Sequence, residues 1–332
     1  MSPPRSDRSP RWRRRLRRVG GSVAALLLAG AIFEPIGAWW DGRRYPPQGS
    51  RVDLGDGRRM YLDCRGTGSP TVLLEAGHRG WSPAWTLVQP QVATFTRVCS
   101  YDRAGLGLSD SGPRPRDVAA VNADLAELLT RAGVTPPYVL VGHSAGGMYQ
   151  RRFATAHRDH VAGLVLVDSD VPTDAEDRRS VEQAPDDRHA ARVLTVMTYS
   201  GLFRLLFQVL HVPLGSAESE RYPEEARVRF GAGMTQLALA MNDEWDLYKS
   251  AYAAASNDPL GDLPLVVIAA LAYRPDDADR ADWLARQTHL ASLSTKSRLI
   301  VLDHQTHYIP LVEPEVVTAA IRDLVDAARL TP

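Results

Sequence analysis

The chain has 332 residues, 44% of them hydrophobic and 23% charged, the composition of a soluble globular protein with ample material for a core. Its formal net charge is zero, but residues 1–18 hold eight arginines against the single acid Asp7, so the remainder carries −7. A body of that sign excludes a fold built to grip nucleic acid, which needs a basic face.

In chain order, the basic run at residues 11–18 precedes an apolar stretch, residues 19–33. A basic run is held on the cytoplasmic side of a membrane and directs the chain beyond it to the other side. The stretch is shorter than the ~20 residues that span a bilayer comfortably. Extending it to Trp40 requires admitting Glu34 and Pro35, with Trp39 and Trp40 at the interface. Ala29-Gly30-Ala31 also fits the small-x-small pattern of signal cleavage. Residues 1–40 are therefore expected to be a signal or an uncleaved anchor, leaving the body membrane-anchored or secreted, on the extracytoplasmic side. Residues 41–50 are turn-formers and read as a linker.

Beyond the linker come short strands. Residues 51–54 and 58–64 flank Gly55-Asp56-Gly57, a hairpin signature. Largely apolar runs come next, at 71–74, 97–101, 138–141, 163–167, 265–270 and 298–302. Without alternation, such runs suit strands buried on both faces of a parallel sheet. Helical patterns lie between them, at 118–132 and 315–328 among others. The expected architecture is doubly wound α/β, mostly parallel. The alternation breaks at residues 171–262, which read as a helical cap inserted between core segments 51–170 and 263–332. Within it Tyr199, Leu202, Phe203, Leu206, Phe207 and Leu210 fall at helical spacing, and should pack on the core or roof a pocket.

The chemistry centres on Tyr138-Val139-Leu140-Val141-Gly142-His143-Ser144-Ala145-Gly146-Gly147, a G-x-S-x-G turn between strand and helix. Small residues let the turn close, and the serine hydroxyl then projects at a helix N-terminus, where an anion is favoured. A hydroxyl needs a base. His307 lies just after the last strand and before the final helix, with His304 as the reserve.

These motifs resemble the α/β-hydrolase fold family over nearly all of the chain from about Arg51. The segment Tyr101-Asp102-Arg103-Ala104-Gly105-Leu106-Gly107-Leu108-Ser109-Asp110 is similar to the family's D-x-R-G-x-G-x-S turn. Leu74-Glu75-Ala76-Gly77-His78 corresponds to its oxyanion loop, with Glu75-Ala76-Gly77 where Leu-His-Gly is common. The resemblance implies an eight-stranded sheet with helices on both faces, and oxyanion donors in the amides of His78 and Ala145. The His78 side chain would face either substrate or solvent. The acid partner of His307 would be Asp168, at the end of the sixth strand, or one of Asp276, Asp277 and Asp279 after the seventh. The resemblance further implies that Cys64 and Cys99, on neighbouring antiparallel strands, form a disulfide in an oxidising compartment.

The expected activity is that of a serine hydrolase, with a small apolar ester as substrate and an acyl-enzyme on Ser144. An exported aminopeptidase or amidase is one alternative, and a non-catalytic ligand-binding member of the fold another. The sequence offers no metal-ligand cluster, phosphate loop or dinucleotide fingerprint, so no metal or cofactor is expected.

Overall fold

A computed structural model describes residues 11–171, 175–186, 188–210, 220–254 and 259–330. The first ten residues of the N-terminal segment, and parts of the 171–262 segment, lie outside the described residues.

Eight strands form one sheet: β1 (Ser50–Asp53), β2 (Arg59–Arg65), β3 (Thr71–Glu75), β4 (Val98–Tyr101), β5 (Tyr138–His143), β6 (Val161–Val167), β7 (Leu265–Ala270) and β8 (Ser297–Leu302). Their order across the sheet is β1-β2-β4-β3-β5-β6-β7-β8. The β1·β2 and β2·β4 pairs are antiparallel and every other pair is parallel. Each strand begins and ends within two residues of the apolar runs and hairpin read from the sequence, and in the central strands β3 to β7 burial on both faces demanded those runs.

The helices are α1 (Arg11–Arg44), α2 (Gln89–Val92), α3 (Val118–Arg131), α4 (Ala145–Ala156), α5 (Ala175–Gln183), α6 (Arg188–Tyr199), α7 (Glu224–Ala254), α8 (Asp277–Ser292), α9 (Ile309–Val312) and α10 (Pro314–Leu330). Alternate residues of the central strands divide between two cores. Leu73, Leu140, Leu164 and Val267 face α3 and α4, meeting Leu125, Leu128 and Phe153. Val72, Val139, Val141, Val165 and Ile268 face α10, meeting Val317, Ile321 and Leu324. Each such side chain, fully buried, contributes about 1.5–3 kcal/mol of transfer free energy. Cys64 and Cys99 sit directly opposite in the β2·β4 register and are disulfide-bonded.

Two parts differ from the sequence reading. First, α1 runs on to Arg44, four residues into the expected linker. Its C-terminal half is held against the helical segment: Arg204, 4% exposed, donates to both carboxylate oxygens of Glu34 at 3.0 Å and also to Asp41. Gly30 lies so close to Ser200 that a Cβ would stand 1.6 Å from its carbonyl oxygen, whereas a Cβ on Gly20 or Gly21 would meet nothing beyond its own helix within 4 Å. Among the described residues no helix is long and apolar enough to cross a membrane. Second, the apolar run from Tyr199 to Leu210 is not one helical face. Gly201, with φ +69°, ends the helix after Tyr199, and a π-helical turn, Arg204–Val209, comes after it. Phe203 is buried there, but Tyr199, Leu202 and Leu210 are exposed.

Candidate active site

Four loops at the carboxyl edge of the sheet bring the candidate residues together, at the ends of β3, β5, β6 and β8. Ser144 occupies the turn between β5 and α4 with φ 54° and ψ −129°, a region that side chains rarely enter. The turn is fixed by its surroundings. Its amide donates to Val167 O at 3.0 Å, and its carbonyl accepts from Gly147 N at 3.0 Å and Asp170 N at 3.3 Å. Gly142 and Gly146 permit this closeness. A Cβ on Gly142 would stand 2.5 Å from Gly146 O, and one on Gly146 would stand 2.6 Å from Ala76 O.

Asp168 directly follows β6 and is wholly buried, with φ 43°. Its Oδ2 meets His307 Nδ1 at 2.6 Å and accepts from the Tyr273 hydroxyl at 2.8 Å. Its Oδ1 accepts from the Ala270 amide at 3.0 Å and from the Trp283 indole at 2.8 Å. Burial by itself would push this carboxyl up. The His307 hydrogen bond and charge, with the Ala270 and Trp283 donors, outweigh it and hold the carboxyl below the ordinary carboxylate range. A carboxylate so held fixes the proton of His307 on Nδ1, leaving Nε2 to accept one.

His307 is secured from a second side. His143, the residue before Ser144, places its Nε2 at 2.8 Å from the carbonyl oxygen of His307. A carbonyl only accepts, so that nitrogen carries the hydrogen. Loss of solvent, then the neighbouring His307, push the His143 ring down to about 3, so it stays a neutral donor. The two rings lie 4.7 Å apart between centroids. Base and nucleophile turn are thus tied by a bond that involves neither reactive atom.

The remaining candidates fall elsewhere. His304 is on the surface, its Nδ1 3.1 Å from Asp303. Asp276 caps α8 by accepting from the Asp279 amide at 2.9 Å, and Asp277 is fully exposed in its first turn. Helix-start chemistry accounts for all three acids. The amide of Ala145 opens α4, where the first N–H groups have no intrahelical acceptor. Gly77 lies against Ser144: a Cβ there would be 3.0 Å from Ser144 Cβ. The His78 side chain is half-buried, and its ring meets no polar partner among the described residues. It packs against Trp245 and Tyr248 of α7, and both ring nitrogens are buried without a hydrogen bond among the described residues. Burial pushes it down to about 4, hence neutral.

Sequence reasoning missed Tyr273 and Trp283, which lie more than a hundred positions from Asp168 in the chain and carry no local signal. It also missed the meaning of Glu75. Arg103, 2% exposed, donates to Glu75 Oε1 at 2.6 Å and to Glu244 Oε2 of α7 at 2.6 Å. The one trace in the sequence was an acid at an oxyanion-loop position; its pairing with Arg103 and Glu244 carried no local signal. Among the described residues no group of three or more His, Cys, Asp or Glu is arranged to hold a metal.

This arrangement of turn, base and acid can be set beside known proteins. The family described as alpha/beta hydrolase fold matches residues 70–314. An AB hydrolase superfamily protein of Gibberella zeae is 24% identical over 321 residues, covering 84% of this chain and 94% of that protein. An uncharacterized protein of Schizosaccharomyces pombe is 36% identical over 139 residues, covering 33% of this chain. The match spans only about a quarter (26%) of that relative's length. Among solved structures, a thermophilic esterase of Thermogutta terrifontis superposes with a TM-score of 0.58 at 22% identity, covering 85% of this chain and 99% of the esterase.

Proposed function

From the premise that the chain belongs to the α/β-hydrolase fold family, we propose that it is a serine hydrolase cleaving a carboxylic ester through an acyl-enzyme on Ser144. The observation that carries this reading is the 2.6 Å pairing of His307 Nδ1 with a buried Asp168, at the same edge of the sheet as a strained serine turn.

In this reading the Ser144 hydroxyl oxygen attacks the substrate carbonyl carbon while its proton passes to His307 Nε2. The imidazolium that forms is stabilised by Asp168. Charge on the carbonyl oxygen is met by the amides of Ala145 and His78. Collapse of the tetrahedral adduct breaks the bond to the alkoxide, which leaves as alcohol with the His307 proton. Water, deprotonated by the same ring, then attacks the ester on Ser144 and frees the acid. The residues involved are all supplied by this chain.

An apolar acyl or alcohol group is favoured by the aromatic side chains Trp245 and Tyr248, stacked at 5.5 Å beside the oxyanion loop. A location outside the cytoplasm is supported by the basic run before an apolar segment and by the Cys64–Cys99 disulfide, a bond favoured in oxidising compartments and rare in the cytosol. In that arrangement residues 171–262 form the cap over the site. Labelling with a fluorophosphonate probe, followed by turnover of p-nitrophenyl esters of graded acyl length, tests the reading. Labelling that vanishes in Ser144→Ala is the expected result; equal labelling of both proteins would end it.

A further inference from the structure

Arg103 is buried, and each of its five N–H donors is used. Nε donates to Glu244 Oε1 at 3.1 Å; Nη1 donates to Glu75 Oε1 at 2.6 Å and Ala76 O at 3.0 Å; Nη2 donates to Gly77 O at 3.0 Å and Glu244 Oε2 at 2.6 Å. Five is the whole capacity of a guanidinium. The group also lies over the Tyr149 ring, 5.3 Å from its centroid. Two of the five bonds go to consecutive main-chain carbonyls, which pairing with the two carboxylates does not require.

Those carbonyls belong to the loop beside Ser144. A trans peptide holds its C=O and N–H in opposite directions. With the Gly77 carbonyl drawn to Nη2, the next N–H, that of His78, must point away from the guanidinium. The Ala76 carbonyl fixes the Gly77 N–H in the same way. A third peptide is fixed from the other side, since Glu244 Oε2 accepts from the Arg79 amide at 2.9 Å, where the chain turns through φ 59°. Three successive peptide planes are therefore held by one guanidinium and one carboxylate, the Gly77 carbonyl also accepting from the Gly80 amide at 3.0 Å. Glu75 is the second carboxyl partner, its other oxygen taken by the Tyr101 hydroxyl. Glu244 stands on α7, 141 positions further along the chain, so the loop and the helical segment share a single clamp.

We propose that Arg103 is the positioning residue of the oxyanion loop, and that Glu244 makes the correct orientation of that loop depend on the seating of α7. The proposal rests on the serine-hydrolase reading above. On it, the amide that receives the developing charge is aimed by Arg103, and a displaced α7 would release the aim while leaving Ser144, His307 and Asp168 in place.

Two variants test it, with the wild type and Ser144→Ala as controls. Arg103→Lys keeps a positive charge between Glu75 and Glu244 but cannot reach two carbonyls and two carboxylates. Glu244→Gln keeps a carbonyl acceptor and leaves Arg103 intact. Active sites are titrated with a fluorophosphonate so that misfolded molecules do not count. Arg103→Lys should lose about 10²–10³ in kcat per titrated site, the size of one misplaced oxyanion donor, with KM near wild type. Affinity for a trifluoromethyl ketone, which forms the tetrahedral adduct, should fall by the same factor. Glu244→Gln should show a smaller fall, about tenfold, in both quantities, and it carries the test if Arg103→Lys does not fold. A lower melting temperature with kcat per titrated site unchanged would overturn the proposal, because a merely structural arginine would behave so. Absence of Ser144-dependent labelling in the wild type would instead remove the serine-hydrolase reading, and this proposal with it.

Discussion

Asp168→Asn is the substitution whose outcome the geometry fixes most tightly. The new side chain has one oxygen and one NH2, and the site decides which goes where. Oδ1 of Asp168 is met by the Ala270 amide at 3.0 Å and the Trp283 indole at 2.8 Å, both of which only donate. The amide oxygen must therefore take that position, and the NH2 falls where Oδ2 was, beside His307 Nδ1 and the Tyr273 hydroxyl. A donor now faces Nδ1, so the ring's hydrogen must move to Nε2, the nitrogen that has to accept the serine proton. By comparison with other triads that tautomer costs about 10⁴ in kcat. The protein should still fold, with a stability loss of about 1–3 kcal/mol for the weakened charge-assisted bonds. Turnover of a p-nitrophenyl ester per titrated site gives the rate, and the ¹⁵N shifts of His307 give the tautomer. As a control, Asp277→Asn changes a fully exposed first-turn residue of α8 and should leave turnover within about twofold. An Asp168→Asn enzyme within tenfold of wild type would refute this reasoning.

Ser144→Ala should reduce kcat by about 10⁴–10⁶ with the melting temperature little changed, and equal turnover would exclude the serine as nucleophile. Gly142→Ala should destabilise by about 1–3 kcal/mol or more and abolish labelling, since its Cβ would meet only main-chain atoms at 2.5–2.6 Å; a normal melting curve would contradict the close approach. Glu75 gives a pH test: burial, opposed by Arg103, pushes its carboxyl up to about 7 from an ordinary 4.5. A carboxyl raised in the folded state binds the extra proton there, so this contribution is complete below about pH 4.5 and is lost as pH rises through 7. Between those limits Glu75→Gln should gain about 3 kcal/mol relative to wild type, at 1.36 kcal/mol per pH unit, measured by denaturant unfolding; parallel pH profiles would show the carboxyl is not the source.

What could be read from the chain alone tracked the range of the physics involved. Strands buried on both faces leave unbroken apolar runs, and the turn at Ser144 leaves its small residues, so the sheet and the nucleophile candidate were legible at once. His307 was legible from its place after the eighth strand. Asp168 was one choice among four acids, because what distinguishes it is contact with Ala270, Tyr273 and Trp283, and no local pattern encodes that. The clamp of Arg103 was invisible for the same reason: Glu244 is 141 positions away, in a helix whose apolar spacing says nothing about a buried carboxylate. The 199–210 run was misread as a single amphipathic face because one glycine, at 201, turned the backbone left-handed in its middle.

The seat of α1 bears on how much of the N-terminus can be removed. Arg204 is almost completely shielded, and its counter-charges, Glu34 and Asp41, both come from that helix. Proteolytic processing after Ala31 would leave both acids in the mature chain and the guanidinium neutralised. A chain trimmed to begin at Tyr45 would strip both away together with the helix that covers Arg204, leaving the guanidinium to Gln208 and to solvent and uncovering the face of the helical segment on which α1 packs. The cut that looks cleanest for producing a soluble fragment is therefore the one that removes a packed helix from the helical segment, and a fragment beginning at Ile32 should be the sounder protein.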